Sequence, residues 1–112
     1  MATKPVQWVG AALDDLRALP QRARRELGFD LRRVQEGLPP RDGKAMTSIG
    51  AGAVEIRVRV GGAFRMIYVA KFAEAVYVLH VFQKKTQKTS KLDIAVTRSR
   101  LAVVQRSRKA GA

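Results

Sequence analysis

The stretch AVEIRVRVGGAFRMIYVA, residues 53–70, is where the hydrophobic pattern of the chain settles on a period of two. Val54, Ile56, Val58 and Val60 alternate with Glu55, Arg57 and Arg59, the spacing of a strand with one apolar face and one charged face. Gly61-Gly62 breaks the run as a hairpin turn does. Phe64 to Ala70 then reads as the returning strand, with Arg65 the single charge in an apolar run. A hairpin turning on the two glycines brings Arg65 near Arg57 or Arg59. Like charges facing one another across a sheet repel, so the arrangement asks for an acid or a bound anion. Glu55, on the same face, reads as an ion-pair partner for these arginines before it reads as a catalytic base.

After the hairpin, Ala75–Phe82 is the most continuously apolar segment, which predicts the central strand. It leads into HVFQKKTQKTSK, residues 80–91, where Lys84, Lys85, Lys88 and Lys91 follow one another with no acid among them. Such a run is ordinarily a solvated turn. Here it leaves a strand end beside the arginines, so Lys84, Lys85 and Lys88 become candidate ligands for an anion. His80 reads as a satisfied core histidine or as a site residue. Phe82, on the same strand face, reads as core or as a platform for a nucleobase. Ser90-Lys91-Leu92-Asp93 has the form of a helix-capping box with Asp in place of Glu. Ile94, Thr97, Leu101 and Val104 line one side of the helix that follows, and the tail from Arg106 to Ala112 is expected to fray.

Towards the N-terminus, Val6–Val9 predicts a short strand and Asp14–Leu19 a short helix stopped by Pro20. Ala23, Leu27, Leu31, Val34 and Leu38 recur at helical spacing, and Gly37 with Pro39-Pro40 closes that helix. Arg41–Ala53 is expected to be a loop with an extended piece at Met46–Ile49. The expected fold is α+β: a small, twisted, mainly antiparallel sheet with two N-terminal helices on one face and a C-terminal helix. The open face of the sheet is where Arg57 and Arg59 would point. At 112 residues the chain is of single-domain size, residues 1–112.

Composition narrows the function. There are 22 Lys and Arg against 9 Asp and Glu, a net charge of +13. That exceeds the magnitude of ~2–8 that solubility asks of a small domain and implies a polyanionic partner such as nucleic acid or a ribosome. With no cysteine and one histidine, thiolate zinc sites and Cys/His nucleophile pairs are excluded. No metal and no small-molecule cofactor are expected. No apolar run approaches a membrane span of ~20 residues, and no signal-peptide core opens the chain, so the expected location is the cytoplasm.

Four segments together, KPVQW (4–8), LRRVQEGLPPRDGKAMTSIGAGAVEIRV (31–58), FRMIYVA (64–70) and VYVLHVFQKKTQKT (76–89), resemble the phage-derived Gp49-like, HigB-type branch of the RelE/ParE toxin superfamily. The resemblance runs from about Lys4 to Arg100. It implies a RelE-like fold and the toxin of a type II toxin–antitoxin system, a metal-independent endoribonuclease that cuts mRNA in the ribosomal A site, with contacts to rRNA. It implies a helix-turn-helix, HigA-like antitoxin as partner. By the same resemblance Arg57, Arg65, Lys84 and Lys85 are the expected catalytic residues, with Arg59, His80, Phe82 and Lys88 expected to bind RNA. Other members use histidines or an Asp/Tyr pair near the C-terminus. This chain has only His80 and no tyrosine after Tyr77, which leaves the general base open. Inhibition of DNA gyrase, as on the ParE side of the superfamily, and non-catalytic nucleic-acid binding are the alternative readings.

Overall fold

The predicted hairpin is present in the computed structural model, which describes residues 3–111 other than Gln87. Strand β3 (Ala53–Arg59) pairs antiparallel with β4 (Ala63–Val69). Between them the Val60 N–H donates to the Gly62 carbonyl at 3.1 Å. Gly61 sits at φ 71°, a left-handed conformation that a side chain would strain. The turn sets the register, and in that register Arg57 lies directly opposite Arg65.

In chain order the other elements are β1 (Val6–Trp8), α1 (Ala12–Arg17), α2 (Gln21–Gln35), β2 (Gly43–Ala45), β5 (Val76–Lys84) and α3 (Lys91–Ala110). The five strands lie in the order β1-β5-β4-β3-β2, antiparallel except for the parallel β1–β5 pair. The fold is α+β as expected, with three local differences. β5 is an interior strand, but β4 holds the middle. The extended piece of the long loop is Gly43–Ala45, and Met46–Ile49 instead forms a turn closed by the Ile49 N–H on the Met46 carbonyl at 3.0 Å. Leu38 lies beyond the end of α2 and is exposed.

Two apolar layers sandwich the sheet. On one face Ala23, Leu27, Leu31 and Val34 of α2, with Ala12 of α1, pack on Ile56, Val58, Phe64, Met66, Tyr68 and Val81. On the other face Leu101 and Val104 of α3 pack on Ile67, Val69, Leu79 and Phe82. The face expected to be open is therefore half covered. α3 begins beside His80, where its Asp93 binds the imidazole, and runs to the opposite edge, where Arg108 binds Glu74 at 2.9 Å and lies 3.8 Å over the Phe72 ring. That anchor is why the tail predicted to fray from Arg106 stays helical to Ala110. The Ser90 hydroxyl caps the start of α3, accepting from the Asp93 N–H at 3.1 Å and donating to its carboxylate at 2.7 Å.

Two devices aim residues at the uncovered half. One is a bulge in β5. Ile67 pairs with His80 and Tyr68 with Val78, which leaves Leu79 as the extra residue. Beyond it His80, Phe82 and Lys84 share the face of Glu55, Arg57 and Arg65. The other is Asp30, buried on α2. Its carboxylate accepts from the Arg41 backbone N–H at 2.9 Å and from Arg41 Nε and Nη2 at 3.0 Å each. This fork pins the segment entering β2. It places the Asp42 carbonyl to accept from the Arg57 N–H at 2.9 Å.

Candidate functional site

Three cross-strand rows of β3, β4 and β5 build the site. They are Glu55–Ile67–His80, Arg57–Arg65–Phe82 and Arg59–Ala63–Lys84. Directly paired residues share a face, so all nine side chains stand on one side. Lys44 of β2 pairs with Glu55 and joins the first row. Glu55 is the only acid in these rows, and it is 1% exposed. Its Oε1 lies 3.4 Å from Arg65 Nε and 3.6 Å from Arg57 Nε, and its Oε2 accepts from the Thr89 hydroxyl at 2.8 Å. Glu55 is thus the counter-ion anticipated from the sequence.

The compensation is incomplete. One carboxylate faces two guanidinium groups, and Arg65 is itself only 4% exposed. Arg65 Nη1 donates to the Phe64 carbonyl at 3.0 Å. The Nε–H groups of Arg57 and Arg65 are buried and find no acceptor among the described residues. Burial, followed by the charges of Arg57 and Arg59, pulls the Arg65 guanidinium below its ordinary pKa, against the pull of Glu55. Lys84 is lowered in the same way, first by burial and then by the charge of Arg65. Two guanidinium groups against one carboxylate leave excess positive charge, which suits an oxyanion.

Arg57 and Arg65 line a cleft of about 600 Å³, together with Asp42, Arg59, Ala63, Lys84, Lys85 and Thr86. All four residues expected to be catalytic, Arg57, Arg65, Lys84 and Lys85, line it, and so does Arg59. Lys88 lines a neighbouring cleft of about 290 Å³ with Lys44, Met46, Thr89 and Ile94. His80 and Phe82 line neither cleft. His80 is buried, with Nε2 2.7 Å from Asp93 Oδ1 and Nδ1 3.4 Å from Arg100 Nη1. The Phe82 ring stacks on it at 4.8 Å and is 8% exposed. Both of these residues, expected to contact RNA, are packed beside the start of α3 as part of the core.

Asp42 and Lys44 were not anticipated. Asp42 is the one carboxylate lining the larger cleft among the described residues. Its place depends on the Asp30–Arg41 fork, a contact across eleven residues of irregular chain that no local pattern announces. Among the described residues no group of three or more His, Cys, Asp or Glu is placed to hold a metal ion, and no helix is long and apolar enough to cross a membrane.

Comparison with known proteins agrees with this architecture. Residues 14–102 match the family described as phage derived protein Gp49-like. Among solved structures, the chain resembles one from the toxin–antitoxin complex RelBE2 of Mycobacterium tuberculosis. The TM-score is 0.53 and the identity 25%, over 73% of this chain and 99% of that one. No curated protein matches the sequence.

Proposed function

Because the chain belongs to the Gp49-like family of phage-derived proteins and has the fold of a RelE-type toxin, we propose that it is an endoribonuclease toxin. It cuts mRNA in the ribosomal A site, works in the cytoplasm and is held inactive by a helix-turn-helix, HigA-like antitoxin. One observation carries this reading. Arg57 and Arg65 sit directly opposite each other, both line an open cleft, and among the described residues one buried carboxylate, Glu55, lies beside the two guanidinium groups.

The reaction suited to this cleft is attack by the 2′-hydroxyl on the adjoining phosphorus. The O2′–P bond forms and the P–O5′ bond breaks, leaving a 2′,3′-cyclic phosphate and a 5′-hydroxyl. Arg57 and Arg65 stabilise the charge that gathers on the equatorial oxygens of the phosphorane, where preorganised donors count most. Asp42, the cleft's carboxylate, takes the 2′-hydroxyl proton. Lys84 gives a proton to the departing 5′-oxygen, and its lowered pKa makes that transfer easier. Lys85 and Arg59 hold the flanking phosphates.

The direct test is primer extension on cellular mRNA after induction. Cuts within codons of translated messages, and none in untranslated RNA, are expected. Poisoning of DNA gyrase by the purified protein, with translation intact, would overturn the reading.

Lys84 adds a prediction in pH. Its folded pKa lies below the ordinary 10.5. As a proton donor it loses activity as pH rises through that lowered value. Stability moves the other way. Between the folded pKa and 10.5 the unfolded chain holds more protons, so stability rises with pH across that window. Lys84→Met is therefore expected to lose cleavage, yet to melt at a higher temperature than wild type at neutral pH. The difference in melting should shrink as pH approaches 10.5. Wild-type cleavage by Lys84→Met rules Lys84 out as the donor.

A further inference from the structure

The larger cleft supplies what a phosphate needs and little that a base needs, and Phe82, paired with Arg65 across the sheet, is buried beside α3. The smaller cleft has the complementary character. Its apolar residues are Met46, buried, and Ile94, half-buried, and its rim carries the exposed Lys44 and Lys88. Thr89 lies beside them, its hydroxyl hydrogen already given to Glu55 at 2.8 Å. That leaves the Thr89 oxygen with acceptor capacity. The two clefts share Arg57 and Lys84, which form the ridge between them.

We propose that this second cleft is a nucleobase subsite. It receives the base of a nucleotide adjoining the scissile phosphate, while the phosphate itself lies across Arg57 on the other side of the ridge. The inference rests on the endonuclease reading and adds to it the point at which the enzyme reads its substrate. The chemistry fits a splayed, single-stranded base. Methionine sulfur and isoleucine methyls give a polarisable apolar surface for the ring face. The two ammonium groups donate to ring nitrogens or carbonyls, and Thr89 Oγ1 accepts from an amino or imino N–H. RNA is read in this way at unpaired nucleotides, whose base edges are free. At about 290 Å³ the cleft has room for a base.

The test uses purified protein and dinucleotides carrying a 2′-O-methyl group at the cleavage position, so that binding is read without reaction. Each is compared with versions in which one base or the other is replaced by an abasic sugar. For wild type, removal of one of the two bases is expected to weaken binding about five- to hundredfold, the range for loss of one stacked base. In Met46→Ala/Ile94→Ser that ratio is expected to fall towards one. These residues help pack α3, so Lys44→Ala/Lys88→Ala, confined to exposed side chains, is measured beside it and should shrink the same ratio. Equal binding of intact and abasic dinucleotides by wild type, or an unchanged ratio in both variants, overturns the subsite. Inorganic phosphate separates this failure from a failure of the endonuclease reading. If phosphate competes with the dinucleotides for wild type but not for Arg65→Ala, the cationic cleft stands whatever the base does. If phosphate does not compete at all, both readings fall together.

Discussion

Arg65→Ala is expected to lower RNA cleavage by about 10²–10³-fold, the loss seen when one preorganised donor to a transition-state oxyanion is removed. The magnitude follows from placement. Arg65 is 4% exposed, its Nη1 is fixed by the Phe64 carbonyl, and its Nε lies 3.4 Å from Glu55 Oε1. It reaches the reacting phosphate already oriented and already stripped of water. Arg65→Lys is expected to recover little, since an ammonium cannot reproduce the guanidinium fork. The variant also leaves Glu55 buried with Arg57 alone, at 3.6 Å. Breaking a buried ion pair from one side costs about 3–5 kcal/mol, a large share of the ~5–15 kcal/mol that holds a domain together. Cleavage must therefore be measured where a melting curve shows the variant folded. The double change Glu55→Gln/Arg65→Met separates the two effects, because it removes the pair as a whole. It is expected to fold more stably than Arg65→Ala and to remain just as inactive. A double variant that cleaves RNA at the wild-type rate removes Arg65 from the mechanism.

Glu55→Gln is the second large effect, and it acts in the opposite sense on binding. Glutamine keeps an acceptor for the Thr89 hydroxyl but removes the only negative charge between Arg57 and Arg65. Two guanidinium groups paired across β3 and β4 then face each other uncompensated. The expected loss of stability is about 3–5 kcal/mol, read as a lower melting temperature. An added anion can take the place of the missing carboxylate. Phosphate is therefore expected to bind more tightly to Glu55→Gln than to wild type, and at 100 times its Kd to return about 2.7 kcal/mol. Cleavage should still fall, because the arginines are no longer held in one arrangement. A melting temperature that neither drops on substitution nor climbs with phosphate sinks the account of Glu55 as an internal stand-in for substrate.

The parts of this protein legible in its sequence are those set by near neighbours. The alternation from Val54 to Val60 and the Gly61-Gly62 turn place Arg57 opposite Arg65, with Glu55 on the same face. Ser90 and Asp93 announce a helix start, and the apolar positions of α2 up to Val34 announce its buried side. What was not legible depends on contacts between distant segments. The apolar side of α3 is plain, but nothing local says that it lies on the same sheet face as the arginines. His80 and Phe82, read as possible RNA contacts, are therefore core. Asp30 looks like a surface acid on a helix until Arg41 closes on it. Asp42 and Lys44 take their places from that closure and from the pairing of β2 with Glu55. The resemblance to RelE-type toxins named the four cations that meet in the cleft and Lys88 of the smaller one, but not Lys44, Met46, Thr89 or Ile94.

The extra residue at Leu79 has a consequence for how this fold tolerates change. A strand keeps an odd-and-even count, and the bulge resets that count once, midway along β5. Val76 and Val78 face the N-terminal helices before it, and Val81 does so after it. Deletion of Leu79 would bring Val78 and His80 together opposite Tyr68 and Ile67, and would leave every side chain beyond on its present face. The damaging change is the opposite one, in which Leu79 enters the ladder and takes the place of His80 opposite Ile67. Odd and even would then exchange in everything beyond. Phe82 and Lys84 would turn towards the α1–α2 layer, and Val81 and Gln83 towards the cleft. The proton donor is thus assigned to its side of the sheet by a reading frame inside the strand, and a shift of one residue there would silence the site without touching any of its side chains.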